Sequence, residues 1–372
     1  MRGNRKSEVR IWKSEAFSKL AAPSARKASP CFSRITDYAS RLTLLTALLL
    51  AVSPLHSGFL YAESSSPTLM VIVGAPGEED YAEIFEQSAT AWLQAAREAG
   101  GEVIEVASET GAPESRERLQ TTLLTATNSP ADLWLAFVGH GTFDGKEAKF
   151  NLPGPDVSAT ELAGWLKPLQ RRVVIVQGAS ASAPFINRLS ATNRIIITAT
   201  RSGGEQNYAR FGANAAAALT SPQTDLDQDG QNSALEIFLA AARLTKDWYQ
   251  AEGRLATEHP LIDDNGDGRG TPAEWFQGLR VVRKTADGSL PDGLRAHQVH
   301  LVPSAFEAML TTEQRQWRDA KEIELARLRE RKTTLPEPEY LAALEKLLLE
   351  LSRFYQAAEA AFETASPANA GT

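Results

Sequence analysis

A chain of 372 residues, 43% hydrophobic and 23% charged, is long enough and apolar enough to bury a substantial core. Residues 1–62 hold ten Lys/Arg against three Asp/Glu, a local +7, so with −7 on the whole chain the other 310 residues carry −14. So acidic a body argues against nucleic acid or anionic membrane as a general partner and suits cation binding.

The first feature in chain order is a basic stretch, residues 1–41, followed by an eleven-residue apolar run, Leu42 to Val52, and then by small and polar residues through Ala62 and Ser64 to Ser66. That is the order of an export signal over residues 1–62, cut after Ala62, which directs the protein to the periplasm or the cell exterior. The lead before the run is long, so translation is expected to start downstream of Met1. The run falls short of the ~20 apolar residues of a bilayer span, and no later segment comes close, so no stable membrane span is expected once the signal is removed. The single cysteine, Cys31, precedes the run. A mature chain cut as expected has no disulfide, thiolate metal site or cysteine nucleophile.

From Thr68 onward, short β-rich runs alternate with helical patterns, which predicts an α/β domain over 66–221 with a mostly parallel sheet sandwiched by helices. Strands are expected at Leu69–Gly74, Glu102–Ala107, Leu133–Val138, Arg172–Val176 and Arg194–Ala199. Between the first two, Phe85, Ala89, Trp92, Leu93 and Ala96 recur at helical spacing, and Gly100–Gly101 supply the stop. Further helices are expected at Ser115–Ala126 and Ala159–Trp165.

Two acidic segments follow in residues 222–282. A calcium loop of EF-hand type needs oxygen ligands at positions 1, 3, 5, 9 and 12, a carbonyl at 7 and glycine at 6. DLDQDGQNSALE supplies Asp225, Asp227, Asp229, Ser233 and Glu236, with the Gln231 carbonyl and Gly230 at the turn. DDNGDGRGTPAE supplies Asp263, Asn265, Asp267, Thr271 and Glu274, with the Arg269 carbonyl and Gly268. The cofactor expected is therefore Ca²⁺. Position 8, where paired loops carry an aliphatic residue, is Asn232 or Gly270, and Pro222 bars a long entering helix, so the loops are expected to be loose and weak in affinity. A helix is expected between them at Ala234–Gln250. After a connector, 283–311, Thr312–Arg331 and Glu337–Phe362 predict a helical hairpin over 312–364, either packed on the body or used for self-association. A disordered tail, 365–372, is expected to close the chain.

Ligand and catalytic groups in parallel sheets gather at the carboxyl ends of strands. The third expected strand runs into Gly139-His140-Gly141-Thr142, and the fourth into Gln177-Gly178-Ala179-Ser180-Ala181-Ser182. These two turns and the strand order, over Thr68 to Ser221, resemble the peptidases of the caspase and legumain type. The resemblance implies that His140 stands where the catalytic histidine does and that Ser180 falls on the nucleophilic cysteine of Ala-Cys-x-Ser-Gly. It also implies that the loop after Arg194–Ala199 lines the substrate pocket, with Arg201 and Glu205 as its polar candidates. A hydroxyl lacks the ready ionisation of a thiol, and the family's histidine is not bonded closely to its nucleophile. A non-catalytic homologue that binds a peptide or protein is therefore expected; a serine-variant hydrolase using Ser180 and His140 is the alternative. Asp144 is the one acid in the motif loop, and no feature assigns it the orienting role of a triad. His297-x-x-His300 lacks the further ligands of a zinc site. No phosphate-binding glycine loop or aromatic stacking platform for nucleic acid is evident.

Overall fold

In the sheet region the strands are continuous apolar runs because both faces of the sheet are covered, and a strand buried on both sides has no polar alternation to display. β1 (Thr68–Val73), β2 (Glu102–Val106), β3 (Leu133–Val138), β7 (Val173–Gln177) and β8 (Arg194–Thr198) are joined in parallel in the order β2-β1-β3-β7-β8. A side ladder of β4 (Gly141–Phe143), β5 (Ala148–Phe150) and β6 (Val157–Ser158) leaves the end of β3. The computed structural model describes residues 66–106, 114–126, 129–283 and 290–365, all within the unit Tyr61–Thr372. The expected export segment, with Cys31, and nearly all of the expected tail lie outside the described residues.

The period-2 alternation divides the sheet's side chains between two cores. Leu69, Val71, Trp134, Ala136, Val174 and Ile195 face α1 (Glu79–Glu98), α5 (Phe211–Ala218) and α6 (Ala234–Ala251). Met70, Ile72, Leu135, Phe137 and Ile175 face α2 (Ser115–Thr125), α3 (Ala159–Leu166) and α4 (Pro184–Leu189). The fold is thus mixed α/β, with a mainly parallel sheet between helical layers. Helix starts follow local chemistry: α3 and α6 each open on a reciprocal cap, Ser158 with Glu161 and Ser233 with Glu236.

Beyond the expected strands, the sheet continues through β9 (Leu261–Asp263), antiparallel to β8, and β10 (Thr271–Pro272), antiparallel to β9. The second acidic segment therefore begins on β9, runs through β10 and ends just past it. Two short helices, α7 (Leu294–His297) and α8 (Ala305–Met309), lead to the hairpin of α9 (Thr312–Glu330) and α10 (Glu337–Ala365). Leu325, Leu328, Tyr340, Leu347 and Leu351 form the hairpin's own small core, while Trp317 stacks on Phe354 at 5.2 Å. The hairpin also touches the body, through Gln298 Nε2 donating to the Asp319 carbonyl at 3.1 Å and the ion pair of Arg172 with Asp319 at 3.5 Å.

Candidate functional site

The strand order reverses between β1 and β3, because the chain steps from β1 outward to β2 and then returns to the other side of β1. The connections that leave the carboxyl ends of strands flanking such a reversal run to opposite faces of the sheet, and ligand sites in open α/β sheets favour the place between them. His140, two residues past β3, lies at this place: its Nε2 donates to the carbonyl of Pro76, just past β1, at 3.2 Å. The bond fixes the proton on Nε2. Tyr81, Phe85 and Tyr208 enclose the ring, with centroids 4.7, 5.1 and 5.9 Å away. Burial lowers the His140 pKa, and the Pro76 bond and the Glu78 charge only partly offset it. The imidazole is therefore neutral near pH 7, and its Nδ1 makes no hydrogen bond within the described residues.

Ser180 follows β7, beside β3, yet it is not bonded to His140. Its Oγ donates to the Gly141 carbonyl at 3.0 Å and accepts from the Gly141 N–H at 3.2 Å, and the residue is 3% exposed. Glycine at 141 is what permits this approach, because a Cβ there would collide with the Ser180 carbonyl. The next residue, Ala181, holds φ 52°, a left-handed backbone that costs about 1 kcal/mol in a residue other than glycine. It is held there by its N–H, which donates to the Glu205 carbonyl at 2.8 Å. Ser182 is wholly buried, and its Oγ accepts from the N–H groups of Ala199 and Thr200 at 3.1 and 3.2 Å. Asp144 accepts from the N–H groups of Lys146 and Glu147, both at 2.9 Å, and so shapes the turn between β4 and β5.

Arg201 and Glu205 come together past β8. The Glu205 carboxylate accepts the Arg201 N–H at 3.0 Å and pairs with its guanidinium at 3.3 Å. It also accepts from His259 Nδ1 at 2.6 Å, a partner 54 residues away that no local pattern marks. A cavity of ≈ 380 Å³ lies beside them, with Arg201, Ser202, Asn187 and Arg269 in its wall.

In the first acidic segment, Asp225 accepts from the N–H groups of Asp229 and Gly230 at 3.1 and 3.0 Å, and Asp229 accepts from the Gln231 N–H at 3.1 Å. Carboxylate oxygens of Asp225, Asp227 and Asp229 all lie within 4.8 Å of one another. Glu236 is 1% exposed; one oxygen accepts from the Leu226 N–H at 2.7 Å and the other from Ser233 Oγ at 2.8 Å. Burial raises the Asp229 pKa, with the Asp227 and Glu236 charges acting in the same direction. His297 Nε2 stands 3.3 Å from Asp227; burial pulls its pKa down, but the bond and charge of Asp227 outweigh that and leave it raised. Asn232, at position 8, donates instead to the carbonyls of Ala218, Leu219 and Ser221 at and just past the end of α5.

The second segment repeats the inner hydrogen bonds of the first but not its closure. Asp263 accepts from the N–H groups of Gly266 and Gly268 at 3.0 and 3.1 Å, Asn265 from Asp267, and Asp267 from Arg269, both at 2.8 Å. Glu274 is exposed, on a 3₁₀ turn, and is not drawn back to the loop. The Thr271 hydroxyl donates to Asp292 at 2.6 Å, and Asp292 also accepts the Asp264 and Asn265 N–H groups at 3.0 and 3.2 Å. Asp292 is the residue that closes this loop. Nothing in its sequence surroundings announces that role. Burial, with the Asp264 charge behind it, pushes its carboxyl up to about 8.

Among solved structures, the chain is similar to protein GSU0716 of Geobacter sulfurreducens, with 11% identity, a TM-score of 0.36, and coverage of 53% of this chain and 92% of that one. It is similar also to the Drosophila initiator caspase Dronc, with 13% identity, a TM-score of 0.35, and coverage of 65% and 96%. A third is caspase-1 of Spodoptera frugiperda, with 10% identity, a TM-score of 0.35, and coverage of 54% and 86%. No family model and no curated protein matches the chain. Likeness at this level bears on neither chemistry nor ligand.

Proposed function

We propose that the protein is an exported, calcium-stabilised relative of the caspase and legumain type that keeps the peptidase framework without its chemistry and serves as a binding or scaffold protein. The observation that carries this reading is the engagement of Ser180: its hydroxyl is buried, its proton is given to Gly141, and no base touches it. A serine nucleophile needs a base in direct contact to take its proton. His140, turned to Pro76, leaves that need unmet.

Calcium is supported by the first acidic loop, where three carboxylates converge beside the buried Glu236. Holding anions this close together is unfavourable without a cation, and oxygen donors in this number and spacing suit Ca²⁺. Glu236 and the carbonyl of Gln231 would complete the set. The second loop, with Asp263, Asn265, Asp267, Thr271 and the Arg269 carbonyl, is the weaker candidate. In either loop the ion would hold the backbone rigid.

The test is hydrolysis by the full chain and by its Ser180→Ala, Ser180→Cys and His140→Ala variants, on peptides with Arg, Asp or Asn before the scissile bond. The parent is expected to be silent. Parent turnover that disappears in both alanine variants would overturn the proposal and establish a serine hydrolase. Export is tested separately, by fusing residues 1–66 to a reporter active only outside the cytoplasm; retention of the fusion in the cytoplasm counts against that part alone.

A further inference from the structure

At the end of the sheet opposite His140, the amino ends of the strands and the hairpin helix α9 enclose a cavity of ≈ 450 Å³. Its wall is rich in arginine, in a protein whose body is otherwise strongly acidic. The carboxylates there are already spent. Asp132 takes a two-pronged pair from Arg172, at 3.0 and 2.8 Å, and Asp319 is bound by both Arg172 and Arg318. Glu307 is held by Arg318, at 3.0 Å through one oxygen and by a second, shorter bond through the other.

The other guanidinium groups of the wall form no salt bridge among the described residues, although the charges of Asp132 and Glu102 act on Arg171 and Asp264 interacts with Arg295. Arg295 gives Nη1 to the carbonyls of Thr192 and Asp264 at 2.8 and 3.2 Å and makes no ion pair within the described residues. Arg315, half-buried on α9, likewise pairs with no carboxylate among them. Arg171 satisfies its donors on neutral oxygens alone, those of Ala131, Ala126, Thr68 and Asp132. Arg194, 8% exposed, gives Nη1 to a carbonyl and retains a buried Nε with no partner in the described residues. Concentrated positive charge held partly out of water is unfavourable unless an anion offsets it.

We propose that this cavity between the strand ends and α9 binds a small multivalent oxyanion, a phosphate or carboxylate group, with Arg295 and Arg315 as its principal contacts and Arg172 as a fixed wall. Guanidinium donors lie in a planar fork that matches such oxygens in pairs, and two guanidinium groups outside any salt bridge among the described residues, Arg315 and the rest of Arg295, make a dianion a better fit than chloride. His300, also in the wall, adds no positive charge. Burial, then the charges of His297, Arg318 and Arg172, push its pKa down to about 3. The ligand would tie the hairpin to the body, because Arg315 belongs to α9 and Arg295 to α7.

The experiment is thermal unfolding and titration calorimetry of the full chain with sodium phosphate or succinate in calcium-free buffer, against sodium chloride at matched ionic strength. Saturable stabilisation by phosphate or by succinate, absent with chloride, is expected, and the stronger of the two identifies the oxyanion class. Arg315→Gln and Arg295→Gln should each weaken binding about ten-fold or more, the loss of one charged bond. Should either glutamine variant fail to fold, Arg315→Lys and Arg295→Lys, which keep the charge but lose the fork, should bind more weakly than the parent. Absence of saturable stabilisation, or variants that bind like the parent, would overturn the proposal.

Discussion

Ser180 and Gly141 hold each other by two hydrogen bonds, Oγ to carbonyl at 3.0 Å and N–H to Oγ at 3.2 Å, across the ends of β7 and β3. The position that the resemblance assigns to a nucleophile thus performs a backbone-joining task. Removing the hydroxyl strands a buried N–H and carbonyl.

Ser180→Ala is expected to lower stability by about 1–3 kcal/mol, the cost of unpaired buried polar groups. Chemical denaturation of parent and variant measures it. Equal midpoints would show that the hydroxyl is not engaged in solution.

Millimolar Ca²⁺ is expected to raise the melting temperature, since binding to the native state alone adds about 1.4 kcal/mol at ten times Kd. Asp225→Ala should remove more of this gain than Asp263→Ala, because the first loop gathers its carboxylates and the second leaves Glu274 outside. The double variant should lose the gain entirely. Undiminished stabilisation of the double variant excludes both loops as calcium sites.

Gln177 closes β7 in full burial, and neither its amide oxygen nor its nitrogen has a partner in the described residues. Gln177→Met keeps nearly the same shape and removes the unpaired amide, so stability should rise by about 1–2 kcal/mol. A fall in the denaturation midpoint would instead reveal a buried water that satisfies the amide.

His300 shifts from its ordinary 6.5 down to about 3 on folding, through burial and then the His297, Arg318 and Arg172 charges. The unfolded chain then binds the proton that the folded chain refuses. This contribution is fully present above pH 6.5, and it declines as pH falls toward 3. His300→Gln should flatten the stability profile across that window, as read from denaturation midpoints in a pH series. An unchanged profile would mean that His300 titrates alike in both states.

The layered α/β fold, the spans of its long helices and the places of the two acidic loops and two strand-end turns were all legible in the residue pattern. That is because burial leaves periodic marks: continuous apolar runs such as LWLAFV for strands covered on both faces, and 3.6-residue stripes for helices. Which groups meet follows from the packing of the layers. The three residues of β9 are too few to carry a periodic signal, and they became a strand because the edge of β8 offered unpaired hydrogen-bonding groups. The partners His140 with Pro76, Glu205 with His259, and Thr271 with Asp292 are 64, 54 and 21 residues apart in the chain. Periodicity records that a side chain is buried, not against what, so these pairings, and with them the engagement of Ser180, depend on how the layers close on one another.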